Sequence, residues 1–194
     1  YSYLMKKLLG IIVLGLLWCN ISLADEKPGR FFEDQPDVND DYQIHFNYLL
    51  AADSEDREWD INGKMEKILL KMNEAMAKAT AKHKKGDSVA RKYKFDYRKD
   101  GKLDVSFVRM DGKALNNKGW NMNYPDYFLQ KNGFNNPKKI YFSFVEAKHR
   151  DGGMMGPHHG YLFIESVGKK VSPVGVHELL HGLGFAMACT KGVT

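Results

Sequence analysis

From residue 42 the chain alternates between apolar and polar side chains. Tyr42, Ile44, Phe46, Tyr48 and Leu50 fall on one side of an extended backbone and Gln43, His45 and Asn47 on the other. A period of two predicts a strand over 42–50 with one buried face. On this reading His45 points to the polar face and is not a ligand. The period then lengthens: Ile61, Met65, Ile68, Leu69, Met72, Met76 and Ala79 recur at helical spacing, which predicts a helix from an Asp60 cap to about Lys85. Its methionine-rich stripe is read as core packing, and His83 with its lysine neighbours as the solvated, cationic end of the helix.

Further along, Tyr93, Phe95 and Tyr97 alternate with charged residues and lead into the turn signal Lys99-Asp100-Gly101-Lys102. An apolar run over 103–110 follows, so two strands are predicted, which a hairpin could join. Residues 116–137 are rich in Asn, Gly and aromatic side chains and are expected to form a loop. Its rings, Trp120, Tyr124, Tyr127, Phe128 and Phe134, could line a peptide-binding cleft or pack on the body of the protein; packing is favoured because aromatic rings bury so much area. Residues 140–145 form the most apolar strand, expected at the centre of a sheet. A glycine-rich loop over 151–160, D-G-G-M-M-G-P-H-H-G, precedes a last strand over 161–166. The adjacent His158 and His159 in that loop could bind a second metal or reach toward another ion; the plainer reading is a loop rim near a site.

The chemistry concentrates in residues 174–185, V-G-V-H-E-L-L-H-G-L-G-F. His177 and His181 are four apart, so on a helix they lie one turn above each other on the same face and can offer two imidazole nitrogens to one metal ion. Glu178 sits beside them, placed to hold a water and take its proton as it attacks a carbonyl. Zinc suits such a site, since it accepts neutral imidazole and in catalytic centres keeps a position open for water. Ser172 can cap the helix, Pro173 fits its first position, and Gly184 can end it.

H-E-L-L-H-G-L-G-F resembles the zincin metallopeptidases, and Gly184, three residues after the second histidine, is similar to the metzincin branch. That branch continues to a third histidine or an aspartate where this chain has Met187, a soft and weak ligand for zinc. Between 182 and 194 the other candidate donor is Cys189. The resemblance implies that the chain is a fragment whose remaining ligand and methionine-containing turn lie past Thr194. It also implies an α+β or α/β fold: a zincin-like upper subdomain in which a mixed, mostly parallel twisted sheet carries the long helix and the active-site helix, with a cleft along one edge strand for an extended peptide. The activity implied is that of a zinc metalloendopeptidase acting on a protein or peptide substrate. Two alternatives remain: a secreted non-catalytic domain in which the helix holds structural zinc or none and the fold binds a partner, and a zincin hydrolase acting on something other than protein.

The amino terminus changes the setting. Residues 1–4 read as an overhang before Met5-Lys6-Lys7, an apolar run over 8–18, and Ser22-Leu23-Ala24, together a secretory signal peptide with the mature chain starting at Asp25. The apolar run is too short to span a membrane, so no stable membrane insertion is expected after cleavage. Cys19 follows the bulky Trp18 and is not read as a lipidation site. Export to the periplasm or exterior leaves Cys189 as the lone cysteine, expected to pair with a partner downstream. Removing Lys6 and Lys7, and no acid, lowers the net charge from +5 to +3, which gives no reason to expect nucleic acid as a partner. Residues 25–41, rich in Pro, Gly and acids, are read as an irregular lead-in, and 42–194 as one catalytic domain.

Overall fold

The computed structural model describes residues 25–82, 87–111 and 123–184. The chain divides into two compact units, Tyr1–Arg30 and Phe31–Thr194. In the first, residues 25–30 form turns in which Arg30 donates from its backbone N–H to the Lys27 carbonyl and from Nη1 to the Asp25 carbonyl. Everything below concerns the second.

Its elements are β1 (Gln43–Leu50), α1 (Lys64–Ala81), β2 (Val105–Arg109), α2 (Asn123–Lys131), β3 (Lys139–Val145), β4 (Gly153–Met155), β5 (His159–Phe163), α3 (Ile164–Val167), a short 3-10 turn (Gly168–Lys170) and α4 (Val171–Gly182). The five strands form one mixed sheet in the order β2-β1-β3-β5-β4. β2, β1, β3 and β5 run parallel, and β4 pairs antiparallel with β5 at the edge. This is the mostly parallel α/β sheet expected, with β3 central.

Both faces of the sheet are covered, as parallel sheets require. On one face Ile44, Phe46, Tyr48 and Leu50 of β1 join Phe142, Phe144 and Leu162 against Met65, Ile68, Leu69 and Met72 of α1 and Leu179 of α4. On the other, Leu49, Val108, Tyr141, Val145, Tyr161 and Phe163 pack against Leu129 of α2 and Phe134. α2 occupies part of the segment expected to be loop, and of its described rings Phe134 is buried and Tyr124 and Phe128 lie against the cluster as anticipated, while Tyr127 stays exposed; Trp120 lies outside the described residues. Among the described residues, no helix is long and apolar enough to cross a membrane.

Two covered faces overturn one expectation about β1. Every residue from Gln43 to Leu50 is buried, and Tyr42, just outside, is 75% exposed. His45 lies on the polar face as expected, but that face is interior. Its Nδ1 is 3.0 Å from Asp96 Oδ2 and its Nε2 3.0 Å from Ser106 Oγ. The Lys139 ammonium, itself buried, donates to Asp34 at 2.5 Å, Asp37 at 2.6 Å and Asp96 at 2.7 Å. Tyr141 donates to Asp34 Oδ2 at 2.8 Å, and Asp104 Oδ2 accepts the Gln35 N–H. These contacts hold the irregular segment 34–37 against the starts of β1 and β3.

Other boundaries shift for local reasons. α1 begins at Lys64, because Gly63 takes a left-handed conformation at φ 78 and the Asn62 side chain accepts the Lys64 N–H; Asp60 does not cap it. The 93–104 segment makes only single bridges, Phe95 with Ile44 and Tyr97 with Leu103, before β2 joins β1 in parallel, so no full hairpin forms. The strand expected over 161–166 turns helical at Ile164. His83 lies outside the described residues.

The buried charges make a test. Burial pushes the Asp96 carboxyl up, but hydrogen bonds from His45 and Lys139 outweigh it and hold the group below its usual range. Its stabilising effect is therefore present above the unfolded value of about 3.9 and is lost as pH falls through the lower folded value. Lys139→Met leaves the Asp96 carboxylate with the His45 hydrogen bond alone, so its depression weakens and part of that stabilisation is lost. Urea denaturation should show a loss of about 3–5 kcal/mol at pH 7 that shrinks as pH falls through the carboxylate range at about 4; an equal loss at pH 7 and in acid would mean Lys139 does not compensate these acids.

Candidate metal centre on the last helix

α4 starts at Val171, one residue before the expected cap, with no side-chain cap at Lys170. Ser172 therefore lies inside the helix and Pro173 at its third position, where the missing N–H still has no partner to lose. The helix ends as anticipated: Gly184 takes φ +86 and donates its N–H to the His181 carbonyl at 2.9 Å.

His177 and His181 are brought together. Their Nε2 atoms lie 3.0 Å apart, with ring centroids at 4.6 Å and planes at 90°. Two nitrogens each about 2.1 Å from one tetrahedral ion are separated by about 3.4 Å, so the pair needs to open by only a few tenths of an ångström to hold one. His177 is exposed and His181 half-buried, which leaves the approach open to solvent. The residues present therefore fit a metal ion.

Glu178 turns inward beside them, 7% exposed. Burial raises its carboxyl above the ordinary range, against the pull of His177 and His181. Its place is made by the edge strand: a Cβ on Gly153 of β4 would stand 2.7 Å from Glu178 Cγ and 2.8 Å from Oε1. A second glycine seats the helix itself, since a Cβ on Gly175 would meet Met72 Cε of α1 at 2.8 Å. Neither contact has a signal in the sequence beyond a glycine in an apolar stretch, because each pairs residues distant along the chain. Leu183 and Gly182 also line a cavity of about 740 Å³ whose other walls come from the starts of β1 and β3 and the end of α1.

The two loop histidines part company. His158 is exposed and lines that cavity. His159 opens β5, is buried, and stacks on Tyr141 with ring centroids 5.5 Å apart, on the sheet face opposite α4. Burial lowers its pKa. It cannot reach an ion held by His177 and His181. Phe185, Met187, Cys189, Cys19 and the segment 1–24 lie outside the described residues.

A second group was not anticipated. Asp34, His45, Asp96 and Asp104 each offer a ligand atom, all within 4.8 Å of one another, and could hold a metal ion. Burial raises the Asp104 carboxyl, and its Oδ1 has no hydrogen-bond partner among the described residues. The Lys139 ammonium already supplies a positive charge to Asp34 and Asp96 there. His45 is fully buried and Asp96 and Asp104 are 1% exposed, while Asp34 is partly exposed at 15%. The pair on α4 is the more open of the two groups.

No protein family and no curated protein matches the sequence. Two solved crystal structures do match in shape, both of wild-type OgpA from Akkermansia muciniphila. One is 16% identical over 86% of this chain and 53% of its own, with a TM-score of 0.50; the other is 18% identical over 83% and 52%, with a TM-score of 0.46. The chain thus spans about half the length of the structures it matches, and what it shares with the first is the fold.

Proposed function

We propose that this chain carries the catalytic centre of an exported zinc-dependent metallopeptidase. The observation that supports it most directly is the 3.0 Å convergence of His177 and His181 on the open side of α4, with Glu178 buried beside them. His177 and His181 would hold the ion, and a further ligand would complete its coordination. Bound there, zinc supplies Lewis acidity toward a substrate carbonyl and toward water. Glu178 would take the proton from the attacking water and pass it to the leaving amine, and burial raises its carboxyl in the direction a proton acceptor and donor needs. β4, next to Glu178, is the outermost strand on that side among the described residues, and its edge is where an extended peptide would add. Export rests on the leader read in residues 5–24.

Elemental analysis paired with a peptide-library digest separates the roles. Glu178→Gln should keep one zinc per chain and lower hydrolysis by about 10²–10⁴; retained hydrolysis would remove Glu178 from the mechanism. In His181→Ala the zinc itself should be lost, and a variant that still held it would show that His181 is not a ligand. Gly153→Ala tests the packing. Its Cβ must displace Glu178, so hydrolysis should fall about tenfold or more with zinc retained and thermal stability lowered by about 1–3 kcal/mol. Unchanged hydrolysis would show that the site tolerates the shift.

A further inference from the structure

At the other end of α4 lies a charge imbalance that the metal centre does not use. A cavity of about 510 Å³ opens between α1 and the start of α4. Lys64, Lys67 and Lys71 of α1 line it, and Lys169 faces them from the turn before α4. All four are exposed, and none forms an ion pair among the described residues. Among the described residues, no carboxylate lines the cavity. Arg57 also borders it, but its Nε bonds both Glu146 oxygens at 2.9 Å and its Nη2 bonds Oε2. Glu165 adds to the field at Arg57 without lining the cavity.

This arrangement works against the fold. Lysines three and four apart on α1 repel across one turn. Lys64 and Lys67 stand in the first turn of α1, and Lys169 and Lys170 immediately precede α4, whose first turn holds no acid. Cations at helix amino termini oppose the helix dipole. Glu66 in the first turn of α1 offsets part of this, and Glu165 adds to the field beside Arg57, but among the described residues no acid forms an ion pair with these four lysines, which points to a compensating group in a ligand.

We propose that this cavity binds a sulfated polysaccharide. The cations without an ion pair among the described residues are lysines, compact point charges suited to the diffuse charge of a sulfate ester; the one guanidinium, which would fork onto a planar carboxylate, is already occupied by Glu146. Lys64 to Lys71 span about 10 Å along α1, so several anionic groups of one polymer meet several cations. The floor, Ile68, Ile164 and Val171, is apolar and suits the C–H faces of sugar rings. A nucleic acid would want a bare aromatic platform. Here the cavity's aromatic residue is Trp59, and its ring already carries Arg57 at 5.2 Å and Lys64 at 5.3 Å. The inference does not depend on any metal at His177 and His181.

Calorimetric titration of the full chain at low ionic strength tests it, with dextran sulfate, unmodified dextran, polyglutamate and single-stranded DNA as probes. Dextran sulfate should bind and dextran should not. K67Q/K71Q/K169Q should weaken dextran sulfate binding about tenfold or more, with a Tm equal to or above that of the parent because the repulsion is relieved. K78Q/K131Q/K148Q, an equal loss of charge at exposed positions elsewhere, should change it less than about twofold. Absent binding, or equal losses in the two triple variants, would overturn the site. Polyglutamate or DNA binding as tightly as dextran sulfate, with the same sensitivity to the cavity lysines, would overturn the ligand class.

Discussion

The parallel pairing of β1 with β3 is the constraint on which the rest of the structure depends. It runs the whole length of β3, from Lys139 opposite Gln43 to Val145 opposite Leu49. Two adjacent parallel strands at the centre of a sheet are covered on both faces, so every side chain they carry is interior. Phe46, Tyr48, Phe142 and Phe144 meet that condition by burying apolar area against α1 and α4. His45, Asn47 and Ser143, on the other face, cannot, and neither can Lys139 at the strand's start. Buried polar groups must be paired. The pairing partners are Asp34, Asp96, Asp104 and Ser106, brought in from an irregular segment, a bridge and β2. The acidic lead-in is thus tied to the sheet by the charge the sheet had to enclose.

The same constraint explains which parts of the fold could be read in advance. The existence of β1, α1, β3 and β5 follows from side-chain period, and the two-histidine motif from spacing along a helix, because both signals are local. What period cannot tell is whether the polar side of a strand meets water or another layer. His45 and Asn47 alternate with apolar residues just as a solvated face would, and only the strand order β2-β1-β3-β5-β4 shows that they are enclosed. α2 was obscured by Asn123 and Pro125, which favour a loop until the first-turn position of the proline is known. Strand order itself depends on contacts across long stretches of chain, and no local pattern encodes it.

The candidate site divides along the same line. His177 and His181 converge because a helix makes residues four apart neighbours, and this was legible. The pocket that holds Glu178 was not. It exists because β4, an antiparallel edge strand, runs close enough to α4 that residue 153 can carry no side chain. The helix is seated on α1 in the same way, by Gly175 against Met72. A glycine in a sequence announces that something comes near; which element comes near is a property of the packed structure.

α4 also orders the two proposed sites by charge. Its carboxyl end carries the histidine pair, and the partial negative charge of exposed carbonyls there favours a bound cation. Its amino end, preceded by Lys169 and Lys170, carries the partial positive charge that favours an anion. The signs at both ends suit the ligands their side chains would take. Ser172 and His181 are nine residues apart and separated by about 13 Å along the axis, more than the Debye length of about 8 Å at physiological ionic strength. Direct Coulombic coupling between the two ligands through water is therefore weak. Any influence of one on the other has to pass through the helix, whose tilt is fixed by the close contacts of Gly175 with α1 and of Glu178 with β4. Those two glycine contacts leave little room for α4 to move as a body, so the two ends are expected to act as separate sites on one rigid support.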